Sequence, residues 1–172
     1  VKKILSLVFV VGLLFTFERA AALDLYAFGS YWEKEDTDGS WGGGVGVAVP
    51  LFTDYVRLDG RAYYFENSNV GNNDELELVP LDLGLQIHIL PDSRVDPYLL
   101  GGASYVYADS DRVDVDSEVG AYAGVGLDVK LFSVVKIFAE AMYRQTELSD
   151  EWSREDIDVS GVSGNLGLKF TF

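Results

Sequence analysis

Ten charged side chains stand at alternate positions of otherwise small or apolar stretches. They are Arg57, Asp59 and Arg61; Asp82; Asp128 and Lys130; Lys136, Glu140 and Arg144; and Lys169. In an extended chain every second side chain points the same way, so each set shares one face. Six of the ten are basic and four acidic. Gathered on one inner surface they need partners, because an unpaired charge in a narrow interior costs several kcal/mol by order of magnitude. The chemistry they predict is an internal ion-pair network that fills and stiffens the fold. The functional alternative is a gated ion path opened by rearranging those pairs.

Catalytic chemistry finds little footing. His88 is the single histidine, and a histidine base needs a nucleophile placed beside it. The residue two further on is Leu90, and the Pro91 turn follows at once. His88 therefore reads as an interior or rim histidine, with no catalytic or cofactor-binding residue expected. Gly42-Gly43-Gly44 falls inside a strand pattern, so these glycines read as packing rather than as a phosphate loop.

A second population of carboxylates lies between the alternating stretches. It comprises Glu33, Glu35, Asp36 and Asp38; Glu66, Asp74, Glu75 and Glu77; Asp109, Asp111, Asp114, Asp116 and Glu118; and Glu147, Asp150, Glu151, Glu155, Asp156 and Asp158. Only Lys34, Arg112 and Arg154 oppose them. A solvated rim explains such a distribution, and bridging by Ca²⁺ or Mg²⁺ to neighbouring phosphates is the sharper alternative. Asp36-Thr37-Asp38-Gly39 is not an EF-hand, since Lys34 would take its first ligand position and Val45 its twelfth. No protein metal site is expected.

The elements that must position these residues are strands. Residues 1–22 combine a basic start, an apolar run from Ile4 to Phe17 and Ala20-Ala21-Ala22, the pattern of a cleavable secretory signal peptide. That run is shorter than the roughly 20 residues of a spanning helix. The expected mature domain is 23–172. Removing Lys2, Lys3, Arg19 and Glu18 leaves 27 acidic and 10 basic residues, a net charge of about −17. Such acidity excludes nucleic acid as a partner, because phosphate neutralisation needs basic patches. With no cysteine, a disulfide framework is excluded as well.

Period-2 alternation predicts eight strands, near 23–32, 41–52, 55–65, 76–89, 98–107, 119–131, 135–145 and 159–172. The connections alternate in kind. Thr53-Asp54, the Pro91-to-Pro97 turn and Phe132-Ser133-Val134 are short, and the others are long and polar. Strand 2 sets Trp41, Val45, Val47 and Val49 against Gly42, Gly44, Gly46 and Ala48; strands 3, 4, 6 and 7 divide similarly. The faces of strands 1 and 5 are apolar or small on both sides and stay unassigned.

The chain closes on Asn165-Leu166-Gly167-Leu168-Lys169-Phe170-Thr171-Phe172. A polar residue, a glycine two later, and aromatics at the third-last and last positions resemble the closing strand of bacterial outer-membrane β-barrels. With the leader, the eight alternating strands and the loop asymmetry, the mature chain resembles the OmpA-like and OmpX-like barrels. The resemblance implies an all-β, eight-stranded antiparallel transmembrane up-and-down barrel in the bacterial outer membrane. It also implies Asn165, Gly167, Phe170 and Phe172 as a signal for the barrel-assembly machinery. The implied role is that of a monomeric, non-enzymatic structural or surface-interaction protein. Its expected surroundings are outer-membrane lipid and lipopolysaccharide, reached through divalent cations if the acidic loops bind them. A small porin-like channel is the rival, and a lipid-modifying enzyme the remote one. Outer-membrane lipid A deacylases carry a His-x-Ser pair near the outer rim, which His88 with Leu90 does not match.

Overall fold

The computed structural model describes residues 23–34, 39–65, 77–109, 118–145, 147–148, 157–158 and 160–172. The strands are β1 (Asp24–Lys34), β2 (Ser40–Leu51), β3 (Thr53–Phe65), β4 (Glu77–His88) and β5 (Val95–Asp109). They continue with β6 (Glu118–Phe132), β7 (Val135–Gln145), β8 (Glu147–Leu148), β9 (Ile157–Asp158) and β10 (Gly161–Thr171). Eight of them close into a barrel in the order β1-β10-β7-β6-β5-β4-β3-β2, every pair antiparallel. The remaining two, β8 and β9, form a short ribbon inside the connection from β7 to β10. Pairing of β1 with β10 runs from Asp24↔Thr171 to Lys34↔Gly161. The Leu23 and Phe172 amides and carbonyls extend that seam, with N···O distances of 3.2 and 2.9 Å.

Three boundaries differ from the sequence expectation, each for a local reason. Thr53-Asp54 is strand rather than turn, because a register shift at Pro50/Leu51 absorbs the reversal at Phe52. Proline has no amide to give the ladder, so it sits where pairing is irregular. The Pro91-to-Pro97 turn is shorter than expected. It is tied by Ser93 N to Leu90 O at 2.9 Å, and Ile89 N donates to Pro97 O at 2.9 Å, so β5 already starts at Val95. Phe132 pairs with Val135 across a shifted register, leaving Ser133-Val134 as the β6–β7 turn. The expected signal peptide lies outside the described residues, as do the acidic residues of 35–38, 66–76, 110–117 and 149–156.

Which face points inward decides what solvent the barrel is built for. Outside stand Leu25, Val45, Leu83, Leu85, Ile87, Leu99, Val125, Leu127, Leu166 and Leu168, all exposed. Toward the long-loop ends the outer surface carries Tyr31, Trp41, Tyr64, Tyr105 and Tyr143; toward the short turns it carries Phe52, Tyr55, Phe132, Phe170 and Phe172. An apolar band between two aromatic girdles is what a hydrocarbon slab bounded by headgroups selects. A barrel folded for water would turn this face inward and leave the charges outside.

The interior resolves strands 1 and 5. Asp24, Tyr26, Phe28, Ser30 and Trp32 of β1 point in, as do Asp96, Tyr98, Leu100, Ser104 and Val106 of β5. Large rings fit because small residues face them. A Cβ at Gly46 would meet the Tyr26 ring, one at Gly44 the Phe28 ring, and one at Gly126 the Tyr98 ring. An eight-stranded barrel is just wide enough for its own side chains, and this one is filled by them.

Candidate functional site

The charged interior is layered. At the middle, the Arg61 guanidinium donates to Glu140 Oε1 at 2.9 Å and to Asp59 Oδ2 at 2.6 Å. β3 and β7 lie four strands apart either way round the ring, so Arg61–Glu140 spans the diameter. Glu140 also accepts from the Tyr98 hydroxyl at 2.6 Å and from Asn165 Nδ2 at 3.0 Å. The Tyr26 hydroxyl donates to Asp59. One carboxylate is thus held by groups from β3, β5 and β10.

Toward the long-loop end, Arg144 makes a two-pronged contact with Asp82 at 2.9 and 2.7 Å and donates to Ser104 at 3.3 Å. Its guanidinium carbon lies 4.5 Å from the centre of the Tyr63 ring, with Trp32 and Tyr122 at 5.8 and 5.6 Å. A planar cation suits both tasks, because its edge forks onto a carboxylate while its face meets a ring.

At the short-turn end, Arg57 pairs with Asp24, whose other oxygen accepts from Thr171 at 2.5 Å. Lys169 donates to both Asp128 oxygens at 2.9 Å. His88 is buried, stacked on Tyr98 at 4.8 Å, with Nδ1 2.6 Å from Asp96 and Nε2 3.1 Å from Gln86 Oε1. Its two ring nitrogens meet a carboxylate and an amide, not a hydroxyl nucleophile. His88, Asp96 and Asp128 could offer ligand atoms within 4.8 Å of one another. However, Lys169 already holds both oxygens of Asp128, so a cation entering there would face an ammonium.

Of the sequence-predicted set, Arg57, Asp59, Arg61, Asp82, Asp128, Lys136, Glu140, Arg144 and Lys169 are buried in the lumen. Lys130 is half-buried at the short-turn rim, and no ion pair closes on it among the described residues. Asp128 forms an ion pair of 3.9 Å with Lys136, and both its oxygens accept hydrogen bonds from Lys169. Two acidic members were missed, Asp24 and Asp96. Asp24 alternates within a strand apolar on both sides, and Asp96 precedes a proline, which mimics a turn. With them the lumen holds six acids against six bases. Asn165 and Gly167 face inward, and Phe170 and Phe172 stand outside at 42% and 74% exposure.

A closed antiparallel barrel with an apolar, girdled exterior and an ion-paired interior is a membrane-spanning β-barrel. The model of the outer membrane protein beta-barrel domain family matches residues 10–170, and the chain belongs to that family. Among solved structures it is similar to Neisserial surface protein A, with a TM-score of 0.70 and 12% identity over 90% of this chain and 98% of the other. OprG from Pseudomonas aeruginosa follows, with a TM-score of 0.66 and 14% identity over 90% and 97%. The attachment invasion locus protein Ail of Yersinia pestis gives 0.54 and 15% over 88% and 97%. At these identities the likeness is one of fold. No curated protein sequence matches the chain.

Proposed function

We propose that this protein is a non-enzymatic structural or surface-interaction component of the bacterial outer membrane, acting through its acidic long loops. The observation that carries the reading is the Arg61–Glu140 pair across the full width of the lumen, braced by Tyr98 and Asn165. A lumen crossed by buried, hydrogen-bonded ions leaves no continuous path for a solute. Chemistry offered to the surroundings then lies at the rims, and the sequence concentrates carboxylates between the strands at the long-loop rim. Solved relatives by fold include proteins described as a surface protein and as an attachment invasion locus protein, which accords with a role at the cell surface.

In this reading the chain is exported by its cleavable leader and inserted as a monomer by the barrel-assembly machinery. Asn165, Gly167, Phe170 and Phe172 act as the recognition signal. Divalent cations link the loop carboxylates to lipopolysaccharide phosphates, since hard cations take oxygen ligands from both. The decisive experiment deletes residues 110–117 or 149–156 and scores surface attachment and outer-membrane integrity with and without a chelator. Loss of either property supports the reading; wild-type behaviour of both deletions sinks it. Single-channel recording in planar bilayers tests the rival. Steady conductance abolished by Glu140→Ala would establish a channel instead.

A further inference from the structure

Three lysines form a row across adjacent strands at the short-turn end. Lys136 of β7 sits directly opposite Lys130 of β6 on one side and directly opposite Lys169 of β10 on the other. All three occupy inward-pointing positions. Like charges set opposite one another destabilise a sheet, so the row needs a counter-charge. Lys169 has one, since Asp128 takes it with both oxygens at 2.9 Å. Lys136 has only longer ion pairs, to Asp24 and Asp128, and no carboxylate among the described residues pairs with Lys130.

Lys136 is 7% exposed, yet its nearest carboxylate oxygens, on Asp24 and Asp128, stand 3.7 and 3.9 Å from its ammonium. Both lie beyond hydrogen-bond length, and both acids are committed elsewhere, Asp24 to Arg57 and Thr171 and Asp128 to Lys169. Lys136 and Lys130 line one shallow recess together with Pro91, Ser93, Arg94 and two carboxylates, Asp96 and Asp128. Asp96 is engaged as well, accepting from the Leu90 amide at 3.0 Å and facing His88 at 2.6 Å. Arg94, Lys130, Lys136 and Lys169 therefore face three carboxylates, Asp24, Asp96 and Asp128, the first of which also serves Arg57. In a chain of formal net charge −15, this end of the lumen carries a local positive excess with unused donors.

We propose that this recess binds a phosphate-type oxyanion, supplied in the membrane by the headgroup of an anionic phospholipid in the leaflet around the short turns. Ammonium and guanidinium groups make their strongest hydrogen bonds to such an anion, and the Ser93 hydroxyl adds a neutral donor at the same mouth. The lipid source follows from the surroundings. Leu90, Val95, Leu131 and Phe132 are exposed on the outer surface beside the recess, where acyl chains would lie against them.

The full chain, refolded in a zwitterionic detergent, is titrated with short-chain phosphatidylglycerol, with the matching phosphatidylcholine and with inorganic phosphate. Lipid retention is read by native mass spectrometry, and melting by loss of the compact gel form on heating. Phosphatidylglycerol is expected to be retained and to raise the melting temperature. Lys130→Gln, and more so Lys130→Gln/Lys136→Gln, should weaken its retention about tenfold or more, as loss of a charge-assisted contact does. Without any anion these variants should melt no lower than the wild type, because they relieve the opposed charges; a purely structural lysine would not behave so. Equal protection by inorganic phosphate supports the oxyanion site and removes the lipid as its source. Equal retention of phosphatidylglycerol by wild type and Lys130→Gln overturns the proposal, as does phosphatidylcholine binding as tightly. Should the Lys136 variant fail to fold, the half-buried Lys130 still decides the matter.

Discussion

Arg61 and Glu140 show why single side chains matter in this lumen. Each is buried and each is the other's principal counter-ion. Replacing Arg61 with Met takes the cation from both Glu140 and Asp59 in a water-poor interior, which costs about 3–5 kcal/mol, whereas Glu140→Gln leaves Arg61 its Asp59 partner and costs less. Replacing both with Leu and Met should cost less than the sum of the single changes, because the stranded Glu140 carboxylate goes with its partner while Asp59 keeps the Tyr26 hydroxyl. Urea unfolding in lipid vesicles, followed by tryptophan fluorescence, checks the cycle; additive losses in the double variant would contradict it. A steric prediction belongs at the same scale. Gly126→Val places a branched side chain against the Tyr98 ring and perturbs the Tyr98–Glu140 hydrogen bond. Overpacking of this kind costs typically about 1–3 kcal/mol. The same assay should show it, whereas valine at the outward-facing Gly29, where a Cβ meets nothing, should be far milder.

At the scale of the strand, alternation lets a single substitution report which solvent a face meets. Leu166 stands on the outer face of β10 at 63% exposure, and its neighbour Asn165 faces the lumen. In a water-soluble barrel an exposed Leu→Arg change would move stability by about 0.5 kcal/mol or less. On a lipid-facing strand it should cost about 2–4 kcal/mol near the bilayer midplane. Unfolding titrations of Leu166→Arg in vesicles separate the two values. β10 also carries the closure, pairing with β7 on one side and β1 on the other. Leu168→Pro removes a ladder donor from a strand bonded on both edges. The heat-sensitive compact gel band should be lost from it altogether, and a normal band would show that the seam tolerates the gap.

For the whole molecule, the strand order and the layered ion pairs make one statement about permeation. Contacts link β3 to β7 and β4 to β7 across the lumen, and join the next-but-one strands β6 to β10 and β1 to β3 inside it. Bilayer recordings should therefore be silent at moderate voltage. Because the network ties opposite walls, the barrel should also unfold as one cooperative unit. Folding monitored by gel mobility and by fluorescence should coincide, and separate transitions would indicate that the two ends of the lumen melt independently.

Much of this was written in the sequence. Alternation alone placed Arg57, Asp59, Arg61, Asp82, Glu140 and Arg144 on the face they occupy, because a strand's period of two is fixed by covalent geometry. It also found all eight barrel strands and the contrast between short turns and long connections, since turn residues and polar runs interrupt the pattern wherever the chain leaves the sheet. It could not read β1 and β5, where both faces are apolar or small, so Asp24 and Asp96 were lost with them. Nor could it show who meets whom. Strands four apart in the ring touch only through the lumen, so the Arg61–Glu140 span depends on closure, and the Lys130–Lys136–Lys169 row on adjacent strands depends on register. Periodicity assigns a residue to a face; only the closed barrel assigns it a partner.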